Sequence, residues 1–535
     1  VSLAELNIAQ VNAEVRRELL RRRIPRIRLY DFGVKYWPVV EPGDPFIPNW
    51  HNGAVAEHLE AVVLGQISEL LINQPPGTMK SLWLGVFLPA WVWTFWPEFR
   101  GIFCSYDGPL ATRDSIKCRL IMESPVSDYM EEFAAPAGWS FSKDQNDKTL
   151  YKNTREGVRQ ALGVGSGGTG FRGNLVAVDD PISVEQAYSE QFRKRSIRWW
   201  DKTMSNRISD PRMPRRIVAG HRVHDNDLSG HVLKQGTYVH LCLPSEYDPK
   251  RSCVTVRKVA GEDVVWRDPR AQEGELLFPQ FQTVDFLEAE KTRLGSDGYA
   301  GQHNQNPNPP GGSIFKKFWW RFFKIRGRES AGYRRPDGCH KVEFKDDQGM
   351  LHVVDVPAIE VDLEDLEEIY MSIDCAFKDK ADSSFVVMGV WGRKGKNRYR
   401  IARRRAKMSF TRTKAELRAL CVEWPQAHKK MVEDKANGTA IIDDLQNEIT
   451  GIVPRSPGRD SKEARAHAVS PQVESGHVYL LDGEPWLDEY ISELATFPNG
   501  DNDDQVDETS QALLEYSPSG PVARAAALCQ GVAVL

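Results

Sequence analysis

At 535 residues the chain is too long for a single hydrophobic core, so two or more domains are expected. Its 41% hydrophobic content is that of an ordinary globular protein, and a formal net charge of −4 excludes a nucleic-acid binder that works by overall positive charge. Eight scattered cysteines (104, 118, 242, 253, 339, 375, 421 and 529) with no C-x-x-C pair fit reduced thiols in a cytosol-like compartment, not a disulfide framework or a zinc ribbon.

In chain order, residues 1–30 read as a basic helix with Arg16, Arg17, Arg21, Arg22, Arg23, Arg26 and Arg28. A solvated helix face is preferred there to a DNA arm. Glu5 and Glu14 and the lack of an apolar core segment argue against a signal peptide. Residues 37–54, rich in Pro, Gly and Trp, read as loop, and 55–69 as an amphipathic helix. Leu70–Ile72 then reads as a buried strand, followed by the turn Gln74-Pro75-Pro76-Gly77-Thr78-Met79, by Lys80-Ser81, and by the apolar stretch Leu82–Trp96. That stretch, which holds Gly85 and Pro89, is shorter than the roughly 20 residues that span a bilayer, so it reads as a buried helix.

Strand, tight turn, Lys-Ser and helix is the layout of a phosphate-binding loop. Backbone N–H groups would cradle the phosphates, Lys80 would reach the β- and γ-phosphates, and Ser81 would hold Mg²⁺. Gln74 and Met79 stand where the general pattern has glycines, which leaves Gly77 to relieve the backbone.

Gly101–Tyr106 reads as a second strand. A glycine-rich segment, Gly163–Gly173, precedes Leu175-Val176-Ala177-Val178-Asp179-Asp180-Pro181, an apolar strand that ends in acids. Beside a phosphate loop, the first acid would hold the Mg²⁺ shell and the second would orient water. A strand ending in a polar turn is the plain alternative. Arg172 in the glycine-rich segment is either an arginine finger, or a loop arginine or DNA contact. The basic stretch 192–216, with Trp199 and Trp200, suits a solvated helix face or a phosphate-facing surface. Ile217–His224 reads as a strand entering a polar loop; His221 and His224 there are weak evidence for a metal.

The loop-rich segment Gly295–Ser313 marks the main boundary, and the acidic residues 343–368 read partly as a spacer. Ile369–Asp374, Phe385–Trp391 and Arg398–Arg405 then read as three consecutive strands, the first carrying Asp374, as in an RNase H-like sheet. Val432-Glu433-Asp434-Lys435 is a further acid-bearing strand end, and Asp501–Asp507 leads into a helix from Glu508 to Leu514. Brought together, such acids would hold two hard cations that clamp a phosphodiester. The acid-free basic run from Arg393 to Lys407 reads as a DNA-backbone track, with a solvated strand face as the alternative.

These motifs, in this order, resemble those of the large terminase subunit of tailed bacteriophages. The resemblance spans roughly residues 50–515. It rests on Pro75-Pro76-Gly77 before Lys80-Ser81, Thr169-Gly170-Phe171-Arg172-Gly173 before Asp179-Asp180-Pro181, and Arg222-Val223-His224-Asp225-Asn226-Asp227-Leu228. It continues through Asp374, Val432-Glu433-Asp434-Lys435-Ala436-Asn437-Gly438, Lys462-Glu463-Ala464-Arg465-Ala466 and Asp503-Asp504-Gln505-Val506-Asp507. It implies an α/β chain with an N-terminal helical and loop segment (1–54), a P-loop ATPase domain of the ASCE type (55–310), a linker and start of the second domain (311–368), and an RNase H-like nuclease domain (369–535).

The resemblance further implies ATP bound at Pro76, Gly77, Thr78, Met79, Lys80 and Ser81, with Mg²⁺ at Ser81 and Asp179. Asp180 stands where a catalytic Glu is common, with Glu185 in reserve. Arg172 would act on a neighbouring subunit's ATP, and Gly220–Arg222 would couple hydrolysis to motion. Asp374, Glu433 and Asp507 would be the nuclease acids, holding two Mg²⁺ or Mn²⁺ ions, with Asp504 a substitute for Asp507. The implied activity is ATP-driven packaging of double-stranded DNA into a procapsid, with cleavage of concatemers. Its implied partners are a small terminase subunit, the portal, and like subunits in a ring, a pentamer, in the host bacterial cytoplasm and away from membranes. The alternatives are an RNase H-like resolvase or transposase-type nuclease without ATPase, a P-loop translocase with an inactive nuclease domain, and a non-enzymatic DNA-binding or capsid-associated protein.

Overall fold

The computed structural model describes residues 23–166, 170–307, 313–328, 339–345, 350–375, 385–434, 437–456, 458, 460–500 and 502–516. Most of the basic N-terminal segment, Thr169, Lys435, Ala436 and Asp501 lie outside the described residues. The chain divides into two compact units, residues 1–291 with 297–310 and residues 292–296 with 311–535. Among the described residues, no helix is long and apolar enough to cross a membrane.

The first unit is built on β1 (Glu69–Asn73), β2 (Arg100–Ser105), β3 (Phe141–Asn146), β4 (Leu150–Asn153), β5 (Val158–Gly163), β6 (Leu175–Asp179), β7 (Arg216–Gly220) and β8 (Val239–Cys242). They form one sheet in the order β3-β4-β5-β2-β6-β7-β1-β8, parallel throughout except where β4 meets β3 and β5. The central strands are short apolar runs because both faces are covered. Successive side chains point to opposite faces. Leu70, Ile72, Leu175 and Ala177 pack on one side with Trp83, Trp91 and Tyr129. Leu71, Val176, Val178 and Val218 pack on the other with Trp199, Trp200 and Leu228. Carboxylates have a place where these strands run out: Glu69 opens β1 and Asp179 closes β6.

The Pro- and Trp-rich stretch 37–54 is not simply loop. One helix runs from Leu29 to Val40, with Pro38 inside it. Another starts at Trp50, with the Asn49 side chain accepting the Trp50 N–H at 2.8 Å. The aromatic residues decide this: Tyr36 and Trp37 are buried, and Trp37 packs edge-on against Phe46 with ring centroids 5.2 Å apart. Apolar burial therefore overrides the loop signal of the prolines. A two-stranded hairpin, β9 (Val254–Val259) and β10 (Glu262–Arg267), completes the strands of this unit.

The second unit holds β11 (Arg321–Ile325), β12 (Cys339–Lys345), β13 (Leu351–Val361), β14 (Glu368–Cys375), β15 (Val386–Lys394), β16 (Asn397–Ala406), β17 (Ala427–Glu433), β18 (Ile452–Arg455) and β19 (Val478–Leu481). Their order is β12-β13-β11-β19-β16-β15-β14-β17-β18. The expected run of three strands is there as the antiparallel β14-β15-β16, and β17 lies parallel to β14. The acidic stretch 343–368 differs from its reading as a spacer. Most of it is strand, and β12 and β13 extend the sheet as an antiparallel pair with exposed Leu351 and Val353.

The basic run also differs from a free DNA track. It lies on β15 and β16, where acids from elsewhere in the chain meet most of it. Arg393 pairs with Glu367, Lys394 with Asp365, Arg403 and Arg405 with Glu489, and Arg404 with Glu423. Arg400 is wholly buried. Its Nη1 lies 2.5 Å from Glu508 Oε2, both side chains being 0% exposed. Trp391 Nε1 donates to Glu508 Oε1 at 2.7 Å, and the Arg400 guanidinium lies 4.4 Å from the Tyr490 ring centre. A Cβ on Gly389 would come within 2.1 Å of Glu508 Oε1, so only glycine fits there.

This pair pins the helix Asp504–Leu514 to the sheet. Arg400→Met leaves Glu508 buried and unpaired and is expected to cost the second unit about 3–5 kcal/mol, read as a lower denaturant midpoint. Arg404→Ala, at an exposed pair, is expected to cost at most about 1 kcal/mol by the same measurement.

Candidate active sites

In the first unit the phosphate-loop candidate joins the end of β1 to a helix that opens at Lys80. Its first turns are π-helical over Leu82–Phe87 and become α-helical over Leu88–Val92. Gly77 has φ +75° and Met79 φ +67°. The chain thus keeps a left-handed conformation at Met79, where the general pattern has glycine, at a cost of about 1–2 kcal/mol. The loop is braced to hold it. Gln74 Nε2 donates to the Thr78 carbonyl at 2.8 Å and to Thr78 Oγ1 at 2.9 Å. Thr78 Oγ1 donates to the Pro75 carbonyl at 2.6 Å, and Gln282 Nε2 donates to the Pro76 carbonyl at 2.8 Å. Gln74, the other departure from glycine, therefore acts as a strut.

The structure brings Lys80 to the acids at the end of β6, with β7 interposed between β1 and β6 as in an ASCE-type sheet. Lys80 Nζ lies 2.7 Å from Asp180 Oδ2. His221, one residue beyond β7, sets Nδ1 3.4 Å from Asp180 Oδ1. Burial opposes the charge on Asp180, but Lys80 and then His221 outweigh it and hold the carboxyl well below the usual range. Asp179 goes the other way: burial, against the pull of Lys80 and aided by Asp180, pushes it up to about 6. Ser81 opposes that rise. Ser81, Asp179, Asp180 and His221 line a cleft of about 280 Å³ with Tyr106, Arg113, Asp114 and Ser183.

Asp180 itself has φ +42°. Its N–H donates to the Ala219 carbonyl at 2.9 Å, and its carbonyl accepts the Tyr106 N–H at 3.0 Å. Neighbouring strands thus hold the residue in a conformation that favours glycine. Glu185 is exposed in the short helix Val184–Ala187, so Asp180, not Glu185, is the acid that meets Lys80. Arg172 is exposed and makes no hydrogen bond or ion pair among the described residues.

At the end of β7, Asn73 Nδ2 donates to the Gly220 carbonyl at 3.0 Å and to Ser229 Oγ at 3.1 Å, while His240 Nε2 meets Asn73 Oδ1 at 2.9 Å. The last residue of the phosphate-loop strand is therefore tied to the strand end that precedes Arg222. Arg222 Nε lies 3.3 Å from Asp227 Oδ2, and Asp227 Oδ1 accepts the Gly230 N–H at 2.7 Å to cap the helix Leu228–Gln235. His221 and His224 do not converge. His221 faces Asp180, and His224 Nδ1 accepts the Asn226 N–H at 3.0 Å.

In the second unit, Asp374 on β14, Glu433 at the end of β17 and Asp507 in the helix Asp504–Leu514 come together. Burial, then Asp507 and Glu433, push the Asp374 carboxyl well above its usual range. Burial also raises Asp507, against Arg465 and Lys462. Lys462 Nζ lies 2.5 Å from Asp507 Oδ2, and Arg465 bridges Asp507 Oδ1 at 2.7 Å and Glu433 Oε1 at 3.5 Å. Among the described residues, no three acid, histidine or cysteine side chains close into a ready metal cage. Gln511 Nε2, one helical turn beyond Asp507, donates to Ser372 Oγ at 3.1 Å and to the Met431 carbonyl at 3.2 Å, which ties the helix to both acid-bearing strands. Asp504 is raised by burial and then by Asp503 and Glu493, acids outside the Asp374 cluster.

Several of these residues had no role in the sequence reading. Gln74 stood there only as a missing glycine, and Asn73 not at all. Lys462 and Arg465 stood only as part of a motif, although their spacing of three puts them on one helix face, a signal that could have paired them. Arg400 and Glu508 carry no local signal, because their pairing depends on the fold of residues far apart in sequence.

Residues 371–515, within the second unit, match the family model of the terminase RNaseH-like domain. None of the curated proteins matches the chain. Among solved structures, the large terminase from a thermophilic bacteriophage is 9% identical, covers 86% of this chain and 98% of its own, and has a TM-score of 0.46. The same protein in complex with ATP-gamma-S is 10% identical over 90% of this chain and 98% of its own, with a TM-score of 0.44. The large terminase nuclease from a second thermophilic phage, G20c, with bound magnesium is 16% identical over 39% of this chain and 100% of its own, with a TM-score of 0.27.

The clustering separates two candidates for the third acid. Asp507→Asn is expected to abolish metal-dependent plasmid cutting, whereas Asp504→Asn keeps it within about tenfold, the low end of the effect of a group behind a metal ligand. Timed nicking assays with both variants decide this.

Proposed function

We propose that this chain is the large subunit of a phage-type terminase, a motor that drives double-stranded DNA into a procapsid by ATP hydrolysis and cuts concatemers with its second unit. The observation that carries this reading is the presence in one chain of Lys80 paired with Asp180 at a parallel-sheet edge and of a terminase-type RNase H-like domain over residues 371–515. A nuclease without an ATPase would leave the Lys80–Asp180–His221 arrangement unexplained. The portal, the small subunit and a ring of five like subunits belong to this proposal.

In the first unit, ATP would lie with its phosphates over Pro76–Met79, and Lys80 would turn to the β- and γ-phosphates. The residues fit a bound Mg²⁺. Ser81 and Asp179 line the same cleft, and Asp179 Oδ1 is buried without a hydrogen-bond partner. When bound, the ion neutralises charge that builds on the phosphate oxygens. Asp180, held ionised beside Lys80, can accept a hydrogen bond from the attacking water and orient it in line. His221 lies on the far side of that carboxylate. Arg172, exposed, would reach the nucleotide of a neighbouring subunit.

In the second unit the all-oxygen donor set of Asp374, Glu433 and Asp507 fits hard divalent cations such as Mg²⁺ or Mn²⁺. Such cations supply the charge that activates water and steadies the leaving oxygen. The chain's own part is to hold three carboxylates at one point, with Lys462 and Arg465 balancing Asp507. Either cation is also a candidate contact for a DNA phosphate.

Two variants test the pairing of activities. Lys80→Ala is expected to lose ATP turnover and keep metal-dependent plasmid cutting, and Asp374→Ala to lose cutting and keep turnover. Turnover that survives Lys80→Ala would sink the ATPase assignment. Cutting that survives Asp374→Ala would sink the nuclease assignment.

A further inference from the structure

Behind the acids of the first unit lies a buried cation with no part in the chemistry above. Arg159, on β5, is 1% exposed. Its Nη2 donates to the Gly85 carbonyl at 2.9 Å, and its guanidinium lies 5.0 Å from the centre of the Phe103 ring. Nε and Nη1 have no hydrogen-bond partner. A guanidinium stays charged at any pH a protein survives, and a buried charge with so few partners is costly. Its anions must be close by.

A small cavity of about 10 Å³ meets this need. Arg159, Asp114, Asp179, Ser105 and Gly85 line it. That volume admits one water, which would find several polar partners there. Asp114 and Asp179 also line the nucleotide cleft, so both acids stand between the cleft and the cavity. Asp179 Oδ1 is buried and unpartnered. Asp114 is itself buried, has Oδ1 2.8 Å from Arg113 Nη2, and sets Oδ2 3.3 Å from where a Cβ on Gly85 would stand. Gly85 thus lets Asp114 approach the helix that follows the phosphate loop, while its carbonyl holds Arg159.

We propose that Arg159 is a positioning residue for the ATPase site. Through Asp114 and one water in the cavity, it anchors the inner oxygen of Asp179 and turns the outer oxygen toward the cleft. This rests on reading Asp179 as the acid that holds the nucleotide's Mg²⁺. Arg159 touches neither nucleotide nor ion. Its effect falls on how well Asp179 is presented to the cation, and nucleotide binding without the cation is left unchanged.

The test titrates the full chain with a fluorescent N-methylanthraniloyl-ATP, first in EDTA and then at rising Mg²⁺. For Arg159→Met, affinity in EDTA is expected to match the unaltered chain, while the Mg²⁺ needed for half of the metal-dependent tightening rises about 10- to 100-fold. Arg159→Lys, which keeps the charge, is expected to recover part of that loss. An unchanged Mg²⁺ requirement in Arg159→Met overturns the proposal. If circular dichroism shows that Arg159→Met does not fold, Asp114→Asn decides: a raised requirement supports the proposal and an unchanged one overturns it. An unaltered chain that binds no nucleotide in any condition is a separate result; it overturns the ATPase reading and this role of Arg159 with it.

Discussion

A strand buried on both faces can carry a carboxylate only where it runs out, and both sites of this protein follow from that constraint. Asp179 closes β6, Glu433 closes β17, and Asp374 is the last residue but one of β14. Burial raises the cost of ionising Asp179 and Asp374, and an acid packed beside each raises it further. Asp374, pushed up by burial and by Asp507 and Glu433, shows this most strongly. A site of this kind is stable only if positive charge is brought to it.

The two units bring that charge differently. In the first, Lys80 comes from the loop at the end of β1, two strands away from β6, and His221 comes from the end of the strand between them. Nucleotide would compete with Asp180 for the same ammonium, so phosphate binding and the freedom of the second acid are linked by geometry. In the second unit, Lys462 and Arg465 reach Asp507 from a separate helix, and the acid's own helix is fixed from behind by the Arg400–Glu508 pair. Glu508 follows Asp507 directly, so the buried pair sets the rotation at which Asp507 meets β14 and β17.

Motifs bound to a strand end were legible in the sequence. Lys80-Ser81, Asp179-Asp180, Asp374 and Glu433 all follow or end apolar runs, and the runs mark both strand and edge. The helix-borne Asp507 could not be separated from Asp504 by sequence, since each lies in the first turn of one helix and only packing shows which faces the sheet. The basic stretch from Arg393 to Lys407 misled for a related reason: its counter-charges, Glu423, Glu489, Glu493 and Glu508, come from other elements. Residues 37–54 misled because proline and glycine mark turns locally, while Tyr36, Trp37 and Trp50 find aromatic partners only in the folded unit.

The proposed function requires that the two acid clusters, one in each unit, each take up a divalent cation, and that only the first depends on nucleotide. The most direct measurement is Mn²⁺ binding to the full chain, followed by electron paramagnetic resonance with and without a non-hydrolysable ATP analogue. Asp179→Asn is expected to remove only the nucleotide-dependent uptake and Asp374→Asn to remove only the nucleotide-independent uptake. A single substitution that abolishes both, or a pair that leaves both intact, would contradict it.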